Sequence, residues 1–515
     1  MTKNTEMYNV PRGTAYLTSQ QIILYATYLV FYALLARVLN KSEVGEFAVL
    51  ALIQALFTGV VSGSLPSAAT RFISRCIASG DAQAASGVAR TTLRLSLAIV
   101  VPVFIIAALF SPFLGGILRG AADPTNLLLL TFVSALFGDL MLLYAAFFIG
   151  IGRYAQTLYQ NLLYVPLSRG LGLLLAYLGL RVLGIMAGWA IGGAATILLS
   201  LYMWHGLLPR GGSYPLRPIL AFSLPVFVSM LITLGWQWGD MGIIYLLLGP
   251  VILGPYYLVV NSVSFLSVLW IPVNQAIYPA LSASHSTDDF RAVSDRLAAA
   301  FRLINLSVLP IGAALAAISP TALEIVYGPQ YVSEAITMSI LSISSILVAR
   351  GALLVTTLQA VGHTRKYVGV TLASTLVFLV IVWLGAVPLG TLAGAIGRAV
   401  LSLLIVVLAV LAVRPTVPTH INSSMKKAIP LAAGVAIPLL AVDQYFLNFP
   451  HPPWLRPSFQ LAIMFVMFIA LFGFFSRHLK AFHHGDFAML HDVLPPGLRP
   501  FLKKVERIII MTGSN

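Results

Sequence analysis

Apolar runs long enough to cross a bilayer follow one another along almost the whole of this chain, and that feature settles most of what it can fold into. About twenty mostly apolar residues carry a helix across the hydrocarbon core. In lipid every backbone N–H and C=O must be satisfied within the segment or in a closed barrel. Barrel strands would alternate apolar with polar residues, and these runs do not alternate. With 59% of the 515 residues hydrophobic and 9% charged, a water-soluble enzyme is excluded.

Taking Gly, Pro and charge clusters as boundaries, the sequence predicts about fourteen transmembrane helices. The first six are Ala15 to Val38, Val44 to Ile73, Ser86 to Phe110, Asn126 to Ile151, Ala155 to Leu178 and Val182 to Leu207. The next six are Ile219 to Leu247, Ile252 to Leu281, Ala298 to Ile318, Ala335 to Val361, Tyr367 to Val387 and Leu392 to Val413. Ala428 to Leu447 and Phe459 to Phe475 complete the set. The net charge of +15 calls for no nucleic acid, because topology alone produces such an excess. Sorting the 31 Lys and Arg residues onto alternate loops leaves only Arg37, Lys41, Arg119, Arg181 and Arg456 outside, and Arg169, Arg350 and Arg398 within spans. Both termini are therefore expected in the cytoplasm of a multi-pass cell-membrane protein. The polar start, Met1 to Arg12, has no cleavable-leader pattern and the first span is expected to be retained.

A duplication is expected from internal echoes. Leu178, Gly179, Leu183, Gly184, Ala187 and Gly188 read L-G-x-x-x-L-G-x-x-A-G, and Leu384, Gly385, Leu389, Gly390, Ala393 and Gly394 repeat it 206 residues later. Gly45 with Gly254, Asp81 with Asp289, Arg94-Leu95 with Arg302-Leu303 and Gly152 with Gly362 recur at offsets of 208 to 210. These predict an N-terminal six-helix bundle over 1–208, a parallel second bundle over 209–414, and two appended helices over 415–476. In the tail, 477–515, the spacing of Phe501, Leu502, Val505, Ile508 and Ile509 predicts an amphipathic helix on the inner leaflet.

Asp240, Tyr245, Gly254, Tyr256, Tyr257, Ala276 and Pro279, and in the first half Gly45, Phe47, Ala48, Gly63, Leu65, Pro66 and Arg71, resemble the polysaccharide-transport flippases of the multidrug/oligosaccharidyl-lipid/polysaccharide exporter superfamily. The resemblance implies a V-shaped pair of bundles whose cavity is lined by the first, second, seventh and eighth helices. It also implies alternating-access turnover of prenyl-phosphate or pyrophosphate oligosaccharides for surface polysaccharide or glycoprotein assembly. Membrane lipids would be partners, with a polysaccharide polymerase or glycosyltransferases beside it.

Such a substrate presents a phosphate, a glycan and an apolar tail, so intramembrane charges are the first functional candidates, each costing about 2.5–3.5 kcal/mol on insertion scales. Arg350 is expected as a phosphate anchor. Arg71, Arg94 and Arg302, at helix ends on the inner side, fit headgroup capture as well as plain topology. Asp240, beside Trp236, Gln237 and Trp238, and Asp139 are candidates for coupling to a proton or sodium gradient, against an interhelical hydrogen bond for the first and an ion pair with Arg169 for the second. Asn261 and Gln275, with Asn274, Tyr256, Tyr257, Gln20, Gln21, Tyr25 and Gln54, offer groups for a sugar. Pro66, Pro225, Pro272 and Pro310 are expected hinges. No catalytic residue, cofactor or metal is expected: there is no G-x-x-x-x-G-K-[ST] or H-E-x-x-H, and the lone Cys76 excludes an internal disulfide. A cation-coupled multidrug exporter of the same superfamily is the competing reading, disfavoured by the two extra helices. A membrane glycosyltransferase or polysaccharide ligase is disfavoured by short external loops at 111–125 and 319–334.

Overall fold

A computed structural model describes residues 24, 27–61, 63–118, 120–209, 211–286, 290–414, 424–448, 457–482 and 506. Its described residues are helical with no strand, and twelve helical runs among them are long and apolar enough to cross a membrane. One of these, Tyr154–Trp204, is 51 residues long and bends at Gly179, whose φ of 108° no continuous helix accommodates. The count of twelve therefore holds the expected fifth and sixth helices as one run, and the first expected helix is described only as the shorter Thr27–Val38, α1. Residues Gln20, Gln21 and Tyr25 and the amphipathic tail lie outside the described residues, apart from a helical Glu506.

The chain falls into two compact units, Met1–Gly254 and Pro255–Asn515. In the first, α2 (Lys41–Val61) and α3 (Leu65–Ala78) replace the single span expected over Val44 to Ile73. Pro66 is the second residue of α3, where its missing N–H costs nothing, so the break falls at the chain's own helix-start signal. Then come α4 (Ala82–Leu109), α5 (Ser111–Leu114), α6 (Pro124–Gly150), α7 (Tyr154–Leu175), α8 (Arg181–Trp204) and α9 (Leu216–Leu248). Asp81 caps α4 by accepting from the Ala84 N–H at 2.8 Å.

After α10 (Pro250–Ser264) the expected eighth span breaks as well, into a short 3₁₀ turn over Phe265–Leu269 and α11 (Ile271–Ser286), with Pro272 again second in its helix. Pro225 and Pro310 lie inside helices that run on through them. The second unit continues with α12 (Phe290–Ala317), α13 (Ser319–Tyr327), α14 (Ala335–Ala360), α15 (Thr364–Leu389) and α16 (Thr391–Val413). The appended pair, α17 (Met425–Asn448) and α18 (Pro457–His478), is no separate body: α17 packs along α12, where buried Asn305 donates to Ser424 Oγ at 2.9 Å, and α18 packs on α17 and α13.

The internal repeat is visible in backbone detail. Both α4 and α12 span 28 residues, start 208 positions apart and carry a proline at the same place, Pro102 and Pro310. Ser111 Oγ bonds Ala108 O at 2.8 Å and Ser319 Oγ bonds Ala316 O at 3.0 Å, again 208 apart. The helices α6 and α14 end in one cap: Gly152 and Gly362 each have φ 77°, and Arg153 N–H to Phe148 O matches His363 N–H to Leu358 O, both 2.8 Å. Arg181 (φ 48°, ψ −130°) matches Gly390 (φ 59°, ψ −131°), 209 apart. The six-residue L-G motif at offset 206 is consequently out of register. The contact that repeats is Gly184 on Ala176 in the first unit and Ala393 on Gly385 in the second, with Gly and Ala exchanged.

Candidate functional site: charged and polar side chains inside the two units

In the first unit, α2 and α9 run antiparallel in a register fixed by small residues. A Cβ at Gly63 would meet Met230, one at Gly59 would overlap Leu234, and one at Gly242 would touch Leu52. This register brings Asp240 to the level of Gln54. Gln54 Oε1 accepts from Ser134 Oγ of α6 at 3.3 Å, and its Nε2 lies 3.7 Å from where a Cβ on Gly138 would sit. Asp139, the next residue, and Asp240 are both fully buried, and Asp240 Oδ1 accepts the Met241 N–H at 2.9 Å. Two buried carboxylates on α6 and α9 thus share a layer with Gln54 and Ser134, which makes this the polar stratum of the unit. At the start of α2 and α10, Gly45 and Gly254 approach reciprocally: a Cβ on the first would fall on the Pro250 carbonyl, on the second on the Lys41 carbonyl.

Arg169 does not join that layer. The expected ion pair with Asp139 is replaced by an aromatic enclosure, with the guanidinium carbon 3.8 Å from the Trp189 ring centre, 4.9 Å from Phe31 and 5.4 Å from Tyr28. Among the described residues no acid pairs with it. The reason is rotational: α7 packs chiefly on α8 and only lightly on α6, so the face that carries Arg169 turns towards α8 and α1. Gly188 and Gly192 draw α8 so close to α7 that their Cβ atoms would overlap Gly172 and Ser168, and this seam lays Trp189 over the guanidinium.

A further cation carries a structural role that charge-sorting missed. Arg181, in a φ region disfavoured for side-chain-bearing residues, donates from Nε and Nη2 to Glu43 at 2.7 and 2.5 Å and from Nη1 to Val38 O at 2.9 Å. Glu43 is itself half of a reciprocal cap at the start of α2, accepting the Asn40 N–H at 2.8 Å while Asn40 Oδ1 accepts the Glu43 N–H at 2.9 Å. The asparagine and glutamate three positions apart were the available signal.

In the second unit Arg350 lies inside α14, 8% exposed, its guanidinium 5.9 Å from the Phe301 ring of α12 and its neighbours Ile346, Leu353 and Leu354 in the apolar core. Arg302, next to Phe301, is half-buried. In the first unit Arg94 is exposed, and exposed Arg71 stacks over Phe222 at 4.4 Å. The sugar-binding candidates separate. Asn261 Nδ2 donates to the Tyr257 carbonyl of its own helix at 2.8 Å, Gln275 is exposed, and Tyr256 is fully buried with its hydroxyl in the notch left by Gly394. Asp443, unremarked in the sequence because it lies in the appended pair, is fully buried on α17 beside Thr321 of α13.

The same fold occurs in solved transporter structures. A lipid II flippase, MurJ, in an inward closed conformation superposes with a TM-score of 0.70 at 13% identity, over 90% of this chain and 99% of that one. An inward-facing multidrug resistance MATE family transporter of the MOP superfamily gives 0.60 at 18% identity, over 75% and 95%. A MOP superfamily transporter from Pyrococcus furiosus gives 0.53 at 16% identity, over 80% and 96%. No curated protein matches the sequence. At these identities the likeness is one of fold, a multi-pass membrane transporter fold. The sequence adds the family: residues 10–285, more than half the chain and including the polar layer on α2, α6 and α9, match one family, and the chain belongs to the polysaccharide biosynthesis protein family.

Proposed function

We infer that the protein is a flippase that carries a lipid-linked oligosaccharide, on a prenyl phosphate or pyrophosphate, across the cell membrane by alternating access for surface polysaccharide or glycoprotein assembly. The observation that carries this reading is the extent of the flippase likeness. The superposition on the lipid II flippase covers 90% of this chain at a TM-score of 0.70, against 75–83% at 0.51–0.60 for the multidrug transporters. Membership of a polysaccharide biosynthesis family supports the same substrate class.

In this reading Arg71, Arg94 and Arg302 gather the anionic headgroup at the inner face, with both termini on that side, and Arg350 anchors the phosphate during passage. A guanidinium suits this task because its planar fork of donors matches phosphate oxygens and stays charged at every working pH. Asn261 and Gln275 meet the glycan. The buried carboxylates Asp240 and Asp139 exchange a proton or sodium ion as access alternates, because a carboxylate taken out of water is stable only when neutralised or paired. A polymerase or glycosyltransferase would receive the product, and the protein itself performs no bond chemistry.

The test is translocation of a fluorescent prenyl-pyrophosphate oligosaccharide in proteoliposomes, comparing wild type with Arg350→Ala, Arg350→Lys and Asp240→Asn. Wild type moves the lipid, Arg350→Ala loses most of that rate at unchanged fold, and Arg350→Lys keeps part of it. Export of an organic cation against a proton or sodium gradient, with no movement of the lipid-linked sugar, would replace this function by that of a multidrug exporter.

A further inference from the structure

The enclosure around Arg169 holds donors without acceptors. Arg169 is 9% exposed and Trp189 is 6% exposed. Arg169 Nε and Nη1 and Trp189 Nε1 are all buried atoms with no hydrogen-bond partner among the described residues. With the guanidinium carbon 3.8 Å from the Trp189 ring centre, these N–H groups lie within a few ångströms of one another. The aromatic faces of Trp189, Phe31 and Tyr28 answer part of the charge, since a ring's negative face attracts a cation. They do not answer the N–H groups, which point in the planes of their own groups and need a lone pair.

Among the described residues none supplies such a lone pair with a charge. The helices that form the enclosure, α1 over Thr27–Val38, α7 and α8, contain no Asp or Glu. Glu46, buried on α2 one residue from Phe47, makes no ion pair with Arg169. Ser168 Oγ is directed to the Val165 carbonyl at 3.4 Å, and Tyr164 brings a phenol that is neutral at physiological pH. What completes such a site is a negatively charged acceptor, and because all three donor atoms are buried it must be small.

We propose that Arg169 and Trp189 form an internal binding site for a small inorganic anion of the chloride class in the first unit. The anion accepts from Arg169 Nε or Nη1 and from Trp189 Nε1, neutralises the guanidinium and ties α7 to α8 across the glycine seam. Among the described residues the second unit shows no counterpart. Where Gly188 of α8 packs on Gly172 and Ser168 of α7, Gly397 of α16 packs on Val382 and Phe378 of α15, and the position 210 residues after Arg169 is Leu379. The site is therefore a feature of this unit and not a consequence of the repeat.

The experiment uses the full-length protein in detergent, with thermal unfolding followed in sodium chloride against sodium gluconate at equal ionic strength. Wild type is expected to show a saturable rise in midpoint with chloride, and the same with bromide. Arg169→Gln abolishes the saturable part. Trp189→Phe keeps the ring face but removes one donor, weakening the apparent chloride affinity by about tenfold, the effect of one lost charge-assisted hydrogen bond; this variant keeps the test informative should Arg169→Gln fail to fold. Bromide and iodide also quench Trp fluorescence, and a chloride-competable fraction of that quenching is expected in wild type and absent in Trp189→Phe. Equal midpoints in chloride and gluconate, a chloride response unchanged by Trp189→Phe, or a response to pyrophosphate without one to chloride would each overturn the proposal.

Discussion

Replacing Gly188 by Ala tests whether the glycine seam between α7 and α8 sets the position of Trp189. An added Cβ would sit on the Gly172 amide nitrogen and 2.8 Å from the Ser168 carbonyl oxygen. These are backbone atoms, which cannot turn aside as a side-chain tip does, so the two helices must part by roughly the shortfall from an ordinary 3.4–4 Å contact, about 1 Å. Overpacking of this kind costs about 1–3 kcal/mol, and the rigidity of the neighbours puts the expectation at the upper end. Against it stands the helix-propensity gain of Ala over Gly, about 1 kcal/mol. The net expectation is about 1–2 kcal/mol of destabilisation. Gly170 on α7 is the control, because a Cβ there meets nothing within 4 Å, so Gly170→Ala keeps the propensity gain alone and is expected to stabilise slightly. Thermal unfolding in detergent ranks the three proteins: Gly170→Ala at or above wild type, and Gly188→Ala below both. Parting the helices also draws Trp189 away from Arg169, so the Gly188 variant should show altered tryptophan emission before unfolding. A Gly188→Ala protein as stable as Gly170→Ala would refute the close seam and the enclosure built on it.

Glu43→Ala removes the bond its carboxylate accepts from the Asn40 N–H and both ion-pair contacts of Arg181, while the Asn40 Oδ1 cap on the residue-43 N–H stays, so it is expected to cost about 1 kcal/mol in thermal unfolding. Arg181→Gly loses the same pair but releases the strained φ of 48°, so it should be more stable than Arg181→Ala; the reverse order would show that the backbone there is unstrained. Gly394→Ala forces a Cβ into the Tyr256 ring and is expected to cost about 1–3 kcal/mol. Tyr256→Leu in the same protein should recover part of the loss, so a double-mutant cycle with no coupling would place the two residues apart. In the flippase assay, loss of transport in Arg350→Ala with partial retention in Arg350→Lys is expected, and equal loss in both would mean that the fork geometry, and not charge alone, holds the phosphate.

The spans were legible because hydropathy in a membrane helix is set by the lipid around it, and lipid asks for little besides length. The breaks at Pro66 and Pro272 were legible as proline positions but not as helix starts, because a proline marks the second residue of one helix as readily as the kink of a longer one, and neighbouring packing decides which. The repeat was legible at 208 to 210 residues wherever a residue does a backbone task no other does as well, as Gly152 and Gly362 do at their caps. It was misleading at 206, because inside a helix Gly and Ala serve the same close approach, so identity of letters between 178–188 and 384–394 hid the true pairing of Gly184 with Ala393. The failed ion pair of Asp139 with Arg169 has the same origin. Depth in the membrane follows from counting residues, but facing follows from rotation by about 100° per residue, and a misplacement of one residue in either helix turns a partner away. What the sequence could state was that a cation lies at mid-depth in a bundle. Only the packing shows that rings surround it and that the three helices around it carry no acid, which is the ground for proposing an anion from solution.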